Sequence, residues 1–165
     1  MRRRTLEGWR SAQARGADGA IESDERISVS VALVPSTDEG ARMLGERYWA
    51  EVRRASFGLV RLHPSAHGNV LRVFGVPLFR FGAMELVSGS SGVRCSFPIG
   101  GGILARRPGG ALVLSQTGGP EPELRAAVEG FVPRLSARPY DRIQRRIHVG
   151  ISRRYFLSLL GQGSA

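Results

Sequence analysis

The chain has 165 residues, of which 42% are hydrophobic, and it carries a net charge of +10. This length and composition fit one globular domain. All 24 basic residues are arginines, which excludes enzymes that depend on a lysine nucleophile or a phosphate-loop lysine. The single cysteine, Cys95, excludes an internal disulfide and a zinc site built from several cysteines.

The N-terminal residues 1–24 are polar, rich in glycine and alanine, and without hydrophobic period. Such a composition predicts a disordered basic tail, followed by a single domain over residues 25–165. The stretch lacks the apolar core of a secretory signal, and the chain holds no run of about 18 apolar residues that would cross a membrane. We therefore expect a cytoplasmic protein.

Residues 26–34 alternate between apolar and polar side chains, which predicts a half-buried strand that ends at Pro35. Ser36 and Glu39 have the spacing of a capping box and predict the start of a helix. This helix is amphipathic and is expected to be bent or split at Gly45. Its apolar residues recur at three- and four-residue steps: Ala41, Leu44, Tyr48, Val52 and Ala55.

Six short apolar segments follow, each bounded by glycine- or proline-rich turns. They predict a meander of antiparallel strands. The segments are 57–63, 69–75, 78–87, 93–99, 111–117 and 123–131.

A long amphipathic helix is predicted from Pro139 to about residue 160. Its apolar face would consist of Tyr140, Ile143, Ile147, Ile151, Tyr155 and Ser158, and its opposite face of Arg142, Arg145, Arg146 and Arg153. This pattern favours a helix that docks on a core and exposes an arginine stripe. A membrane-surface helix and a nucleic-acid arm remain as alternatives, although the arginine face lacks interleaved aromatic residues on which bases would stack.

Residues with catalytic or metal-binding chemistry are few. His63 and His67 lie in a turn rather than on one helix face, so we expect no metal site there. Cys95 has no neighbouring base and is expected to be a core residue. Arg106 and Arg107 follow a glycine-rich stretch and are candidates for contact with an anion. No cofactor is expected.

The order of the predicted elements resembles that of the START/birch-pollen-allergen superfamily, also called SRPBCC, which includes the polyketide cyclase-like proteins. The ending VEGFVPRLSARPYDRIQRRIHVGISRRYFLSLL is similar to the ends of uncharacterised bacterial members, and the resemblance covers about residues 26–160. It implies an α+β helix-grip fold, in which a curved antiparallel sheet of about seven strands wraps around a long C-terminal helix.

The resemblance also implies a cavity between sheet and terminal helix that binds a hydrophobic or amphipathic small molecule or a lipid. The residues expected at this site are Tyr48, Trp49, Phe81, Phe97, Ile143, Ile147, His148, Ile151 and Tyr155. The sheet residue Phe79 is a further candidate.

Two other functions stay open at this point. One is an enzyme of the cyclase or hydratase type that uses His148, Tyr155 or Glu85 as acid or base in the same cavity. The other is a solidly packed interaction protein that forms homodimers. Any DNA binding is expected to be non-specific, because it would rest on net charge alone, and the arginines are also expected to make weak contact with a membrane surface.

Overall fold

Nine strands and two helices make up the part of the chain that the structure, a computed structural model, describes: residue 6, residues 8–134 and residues 137–162. For residues 137–144 and for residue 162, the backbone alone is described. The strands are β1 Arg10–Arg15, β2 Ile21–Ser28, β3 Val60–Ser65, β4 Gly68–Val73, β5 Val76–Phe81, β6 Glu85–Gly89, β7 Gly92–Gly101, β8 Ala111–Thr117 and β9 Glu123–Phe131. The helices are α1 Asp38–Ala55 and α2 Ala137–Gln162.

All strand pairs are antiparallel, and they form one sheet in the order β1-β2-β9-β8-β7-β5-β4-β3. Strand β6 pairs with the first half of β7, and β5 pairs with the other end of β7. The α+β class and the antiparallel sheet agree with the sequence analysis, but the described chain has nine strands rather than about seven. One extra strand arises because the predicted segment 78–87 divides at Gly82, whose N–H donates to the Pro98 carbonyl at 2.8 Å.

The other extra strand is β1, which lies in the stretch predicted to be a disordered tail. It pairs with β2 in register from Arg10 opposite Arg26 to Arg15 opposite Ile21. The aromatic ring of Trp9, just before β1, meets that of Phe156 edge-on at 5.5 Å between centroids. The expectation of disorder is therefore wrong from Arg10 onwards. A strand whose order comes from its partner need not show its own hydrophobic period.

The strand predicted at 26–34 is displaced towards the N-terminus, because β2 ends at Ser28. The segment after β2 is held in place by hydrogen bonds to a side chain rather than by pairing with another strand. The Gln116 amide oxygen accepts from the N–H groups of Leu33 and Val34 at 2.7 and 3.2 Å, and its amide nitrogen donates to the Val34 carbonyl at 2.8 Å. Gln116 is buried, so these bonds satisfy polar groups that would otherwise lack partners.

Helix α1 begins one residue later than the predicted capping box implies. Thr37 is the N-cap, and its hydroxyl accepts from the Gly40 N–H at 3.3 Å. Gly45 lies in the middle of one continuous helix, where it faces β7 at close range: a Cβ built on it would be 2.8 Å from the Cys95 Sγ. The glycine thus permits close packing of helix on sheet rather than a bend.

Helix α2 buries a face different from the predicted one. Its buried side chains in the described range include Ser152, Tyr155, Phe156 and Leu159, whereas Ile147 is 55% exposed. Ile147 is therefore not a core residue as predicted, whereas Ile151 packs against the core and Tyr155 is buried in it. The apolar periodicity alone did not reveal that the middle of α2 borders an opening while its C-terminal part packs on the core. Arg145, Arg146 and Arg153 are exposed, as expected.

The sheet face away from the helices carries a network of ion pairs. Asp24 accepts hydrogen bonds from Arg26 and Arg125 at 2.8 and 2.9 Å, and Arg125 also binds Glu129 at 2.6 Å. Burial raises the pKa of Asp24, but the two guanidinium groups outweigh it and hold that pKa at about 2. Arg94 also donates to Glu129, at 3.3 Å.

Candidate functional site

A cavity of about 530 Å³ lies between the inner face of the sheet and the two helices. Its helical wall contains Tyr48, Trp49, Val52, Ile147, His148 and Ile151. Its sheet wall contains Val60, Leu71, Val73, Leu78, Phe79, Phe81, Ile99, Leu112, Val128 and Phe131. The alternation of strand side chains produces this wall, because the inward residue of each strand is aliphatic or aromatic. The exposed Ile147 lies at the opening.

Aromatic rings make up one side of the cavity. The Trp49 ring on α1 meets Phe81 and Phe97 edge-on, with centroids 5.3 and 5.5 Å apart. Phe79 meets Phe131 in the same way at 5.4 Å. Edge-to-face contacts of this kind fix ring orientations, so this wall is a shaped surface rather than a loose one.

Few of the groups that line the cavity are polar, and two of them, Tyr48 and His148, have strongly shifted pKa values. Burial raises the pKa of the Tyr48 hydroxyl. The His148 imidazole hydrogen-bonds the backbone of Ala126 on β9, while its Nε2 atom is buried without a hydrogen-bond partner in the described part of the chain. Burial lowers the pKa of His148 to about 4. The ring is therefore neutral at pH 7 and its Nε2 is free to accept a proton or a hydrogen bond.

A buried carboxyl group lies on β2, the strand that pairs with the one whose backbone binds this histidine. Glu25 on β2 is 1% exposed, and its Cα is opposite Ala126, the residue whose backbone binds His148. The Ser11 hydroxyl donates to Glu25 Oε1 at 2.7 Å, and Oε2 has no partner among the described residues. Burial raises the pKa of Glu25. Gln13, Ser23 and Arg145 line the cavity at this same side, which makes it the polar end.

The structure brings together six of the nine residues predicted for the site: Tyr48, Trp49, Phe81, Ile147, His148 and Ile151 all line the cavity. Phe97 and Tyr155 are buried but lie outside its lining. Tyr155 stands behind Tyr48, with 5.5 Å between ring centroids, and burial raises the pKa of its hydroxyl well above the ordinary value. The side chain of Ile143 lies outside the described residues. Phe79, named as a further candidate, also lines the cavity.

Glu85, a candidate acid for an enzymatic function, does not reach the cavity. It is exposed on β6, where it lies opposite Ser96 and accepts a hydrogen bond from the Ser96 hydroxyl at 3.4 Å. The carboxyl group near the cavity is Glu25 instead. The sequence analysis missed it because residues 22–26 are mostly charged, and a charged inward position breaks the apolar alternation that marks a strand.

Cys95 and the histidines of the β3–β4 hairpin contribute no chemistry to the cavity. Cys95 is fully buried beneath Gly45, and burial raises the pKa of its thiol to about 12. His63 and His67 are exposed. Within the described residues, no group of three or more His, Cys, Asp or Glu side chains has the arrangement of a metal site.

Comparison of the chain with protein-family models, with curated proteins and with solved structures found no match. In the described ranges, neither helix is both long and apolar enough to cross a membrane.

Proposed function

We propose that this protein binds a hydrophobic or amphipathic small molecule, such as a lipid, in the cavity between the sheet and helix α2. The observation that carries the proposal is the cavity itself, about 530 Å³ in volume and walled almost wholly by apolar and aromatic side chains. Ligand sites of proteins have this size and lining, with a few polar groups that orient the ligand. A packed interior would instead leave few voids larger than a water molecule, so the cavity argues against the solidly packed interaction protein.

The strand order supports the resemblance to the helix-grip proteins. When β1 and β6 are set aside, the remaining seven strands run β2-β9-β8-β7-β5-β4-β3, with the strand before α1 paired to the strand before α2. This leaves a two-helix layer against one face of the sheet, as the resemblance implies. We include the helix-grip assignment and a cytoplasmic location in the proposal.

The polar end of the cavity suggests how an amphipathic ligand would lie. Apolar parts would contact Leu71, Phe79 and Phe131, while an uncharged polar head would face His148 and Gln13. Each methylene group moved from water to this wall contributes about 0.8 kcal/mol, so roughly ten such groups suffice for micromolar affinity after the costs of association.

The test uses N-phenyl-1-naphthylamine, a hydrophobic fluorescent probe without charge, because the arginines do not attract it. We expect saturable binding by the wild type and at least tenfold weaker binding by Ile151→Trp, which narrows the cavity. Val87→Trp is the matched control, since Val87 is exposed on β6 and does not line the cavity. Thermal unfolding establishes that both variants are folded.

The proposal is overturned if the wild type shows no saturable binding and native mass spectrometry of the purified protein shows no retained small molecule. Equal binding by the Ile151→Trp and Val87→Trp variants would overturn the location of the site.

A cyclase- or hydratase-type enzyme is the second candidate, and the neutral His148 beside the cavity is the observation that favours it. A neutral histidine whose Nε2 has no hydrogen-bond partner in the described part of the chain can act as a general base. The variant His148→Leu separates the two functions. Loss of turnover of a retained ligand with unchanged binding of the neutral probe would support the enzyme. Conversion that the variant keeps would exclude His148 as the base, and absence of conversion by the wild type would support a carrier.

A further inference from the structure

Two turns at one corner of the sheet have the same sequence and the same unusual backbone. Phe57–Gly58 joins α1 to β3, and Phe74–Gly75 joins β4 to β5. All four residues have positive φ: 53° and 78° in the first turn, 50° and 81° in the second. The two phenylalanines are 94% and 79% exposed, so these large apolar rings project from the protein surface.

The backbone conformation of neither turn favours a phenylalanine. Phe57 is in the helix-terminating position at which glycine is preferred: its N–H donates to the Arg54 carbonyl at 3.1 Å, and the Gly58 N–H donates to the Arg53 carbonyl at 2.8 Å. Phe74 is the first central residue of a two-residue hairpin turn, where asparagine, aspartate or glycine is preferred. A bulky side chain at positive φ is strained, and strain of this kind is retained at functional positions.

The two turns flank one end of the cavity. Val60 and Val73 lie opposite each other on β3 and β4, and both line the cavity. Phe57 precedes Val60 by three residues and Phe74 follows Val73 directly. Leu59 and Val76 on the same corner are also exposed. We call Phe57, Leu59, Phe74 and Val76 the apolar corner.

Positive charge surrounds the apolar corner. Arg61 and Arg72 lie directly opposite each other on β3 and β4, an arrangement of like charges that destabilises a sheet. Arg61 Nε donates to the Gly58 carbonyl at 3.0 Å, and Arg72 Nη1 donates to the Gly75 carbonyl at 2.9 Å, so each Phe–Gly turn holds one of these arginines. Residues 52–84 contain five arginines and no aspartate or glutamate.

A basic pocket adjoins the same corner. It has a volume of about 330 Å³ and is lined by Arg80, Arg106, Arg107 and Arg134. Pro77, which also lines it, directly follows Val76, and its carbonyl accepts from the Ile103 N–H at 3.4 Å. Arg107 is paired with Asp18 at 2.6 Å. Arginine guanidinium groups in such an arrangement suit phosphate oxygens.

We propose that the apolar corner docks on an anionic lipid bilayer, with Phe57 and Phe74 inserted below the headgroups and the surrounding arginines bound to lipid phosphates. Exposed aromatic residues flanked by arginines are the pattern of proteins that lie on such a surface. A second copy of this chain is a poor occupant because the two corners would bring like charges together. Docking in this orientation places one end of the cavity at the membrane, although the proposal holds whether or not the cavity binds a ligand.

The test is sedimentation of the full chain with vesicles of phosphatidylcholine alone or with about 30% phosphatidylglycerol, at physiological salt. We expect binding to the anionic vesicles and little to the neutral ones. The double variant Phe57→Asn/Phe74→Asn should bind at least tenfold more weakly. Because asparagine tolerates positive φ, this variant should unfold at the same or a higher temperature than the wild type.

Two controls accompany it. Val31→Asn/Val87→Asn removes two apolar side chains that are exposed elsewhere and should leave vesicle binding unchanged. Arg61→Gln/Arg72→Gln should weaken binding several-fold more than Arg42→Gln/Arg94→Gln, which removes the same charge from arginines paired with Glu39 and Glu129.

Three outcomes overturn the proposal. The first is equal binding by the wild type and the phenylalanine double variant, which would leave net charge as the cause. The second is equal binding to neutral and anionic vesicles. The third is absence of binding to the anionic vesicles. A dimer in analytical ultracentrifugation that the double variant converts to a monomer would then show that the corner is a self-association surface. Probe binding in the cavity is measured without vesicles, so failure of either proposal is recognised separately.

Discussion

Gly45 on α1 lies directly above Cys95 on β7, and a Cβ added to the glycine would meet the cysteine Sγ at 2.8 Å and the Phe97 ring at 3.0 Å. Both neighbours are buried side chains of the core, so neither can move without disturbing other contacts. The contact sets the distance between helix α1 and the sheet.

Gly45→Ala should therefore lower the free energy of unfolding, by about 1–3 kcal/mol, in spite of the higher helix propensity of alanine. Gly150→Ala on α2 is the matched control, because no atom lies within 4 Å of the position of its Cβ. That change should raise the free energy of unfolding by about 0.5–1 kcal/mol. Urea unfolding measures both. A stabilising effect at both positions would contradict the close contact of α1 with β7.

Trp9 should be required for full stability, because it packs on Phe156 and anchors the strand β1 to the core. We expect Trp9→Ala to cost about 2 kcal/mol, which is less than a fully buried tryptophan because Trp9 is part-exposed. Trp9→Phe keeps an aromatic edge contact and should cost about half as much. Stability is measured by thermal and urea unfolding. If Trp9→Ala is as stable as the wild type, the β1 region is dispensable for stability.

The face of α2 that supports the core should be revealed by a pair of alanine substitutions. Phe156 is fully buried, so Phe156→Ala should lower the free energy of unfolding by about 3–5 kcal/mol. Ile147 is 55% exposed, so Ile147→Ala should cost no more than about 1 kcal/mol. If Ile147→Ala costs more than Phe156→Ala in urea unfolding, the face of α2 that packs on the core is the one predicted from the apolar periodicity.

The lowered pKa of His148 predicts the direction in which the stability of the protein changes with pH. Burial holds it at about 4 in the folded protein, below the ordinary value of 6.5, so the unfolded chain binds more protons between these two pH values. The contribution to stability is complete above pH 6.5 and is lost as the pH falls towards 4, with a total of a few kcal/mol.

Carboxyl groups also titrate in part of this range, so the quantity to measure is the difference between the wild type and His148→Leu. Between pH 7 and pH 4.5 the wild type should lose stability faster than the variant does. Parallel pH profiles of the free energy of unfolding would show that the imidazole is accessible to water rather than buried.

Much of the sheet could be predicted from the sequence because local signals define it. Strands Ala111–Thr117 and Glu123–Phe131 coincide with their predicted limits, since glycine and proline turns bound both apolar segments. Strand β1 gave no such signal: its sequence RSAQAR has no apolar alternation, and its order comes from pairing with β2. Local pattern does not report a partner supplied by another segment.

The candidate site also contains residues that the sequence indicates and residues that it does not. The resemblance implies Tyr48 and Trp49 as site residues on the first predicted helix, and both line the cavity. Glu25 was missed because an inward carboxyl group contradicts the binary pattern. The sequence pattern places Phe57 at the start of one strand and Phe74 near the end of another, because the positive φ that brings both rings to the surface is a property of the folded turns.

The pairing of β2 with β9 has a consequence for the order in which the chain acquires structure. Ile21 lies opposite Phe131 and Ile27 opposite Leu124, so the ladder joins residues about a hundred positions apart. Ladders between distant segments form late because the loop between them must first be closed. During synthesis, β1 and β2 emerge from the ribosome long before β9. Until β9 is made, the edge of β2 that pairs with it is not covered. The charged side chains of β2, Asp24 and Arg26 among them, then disfavour pairing of this uncovered edge with other chains.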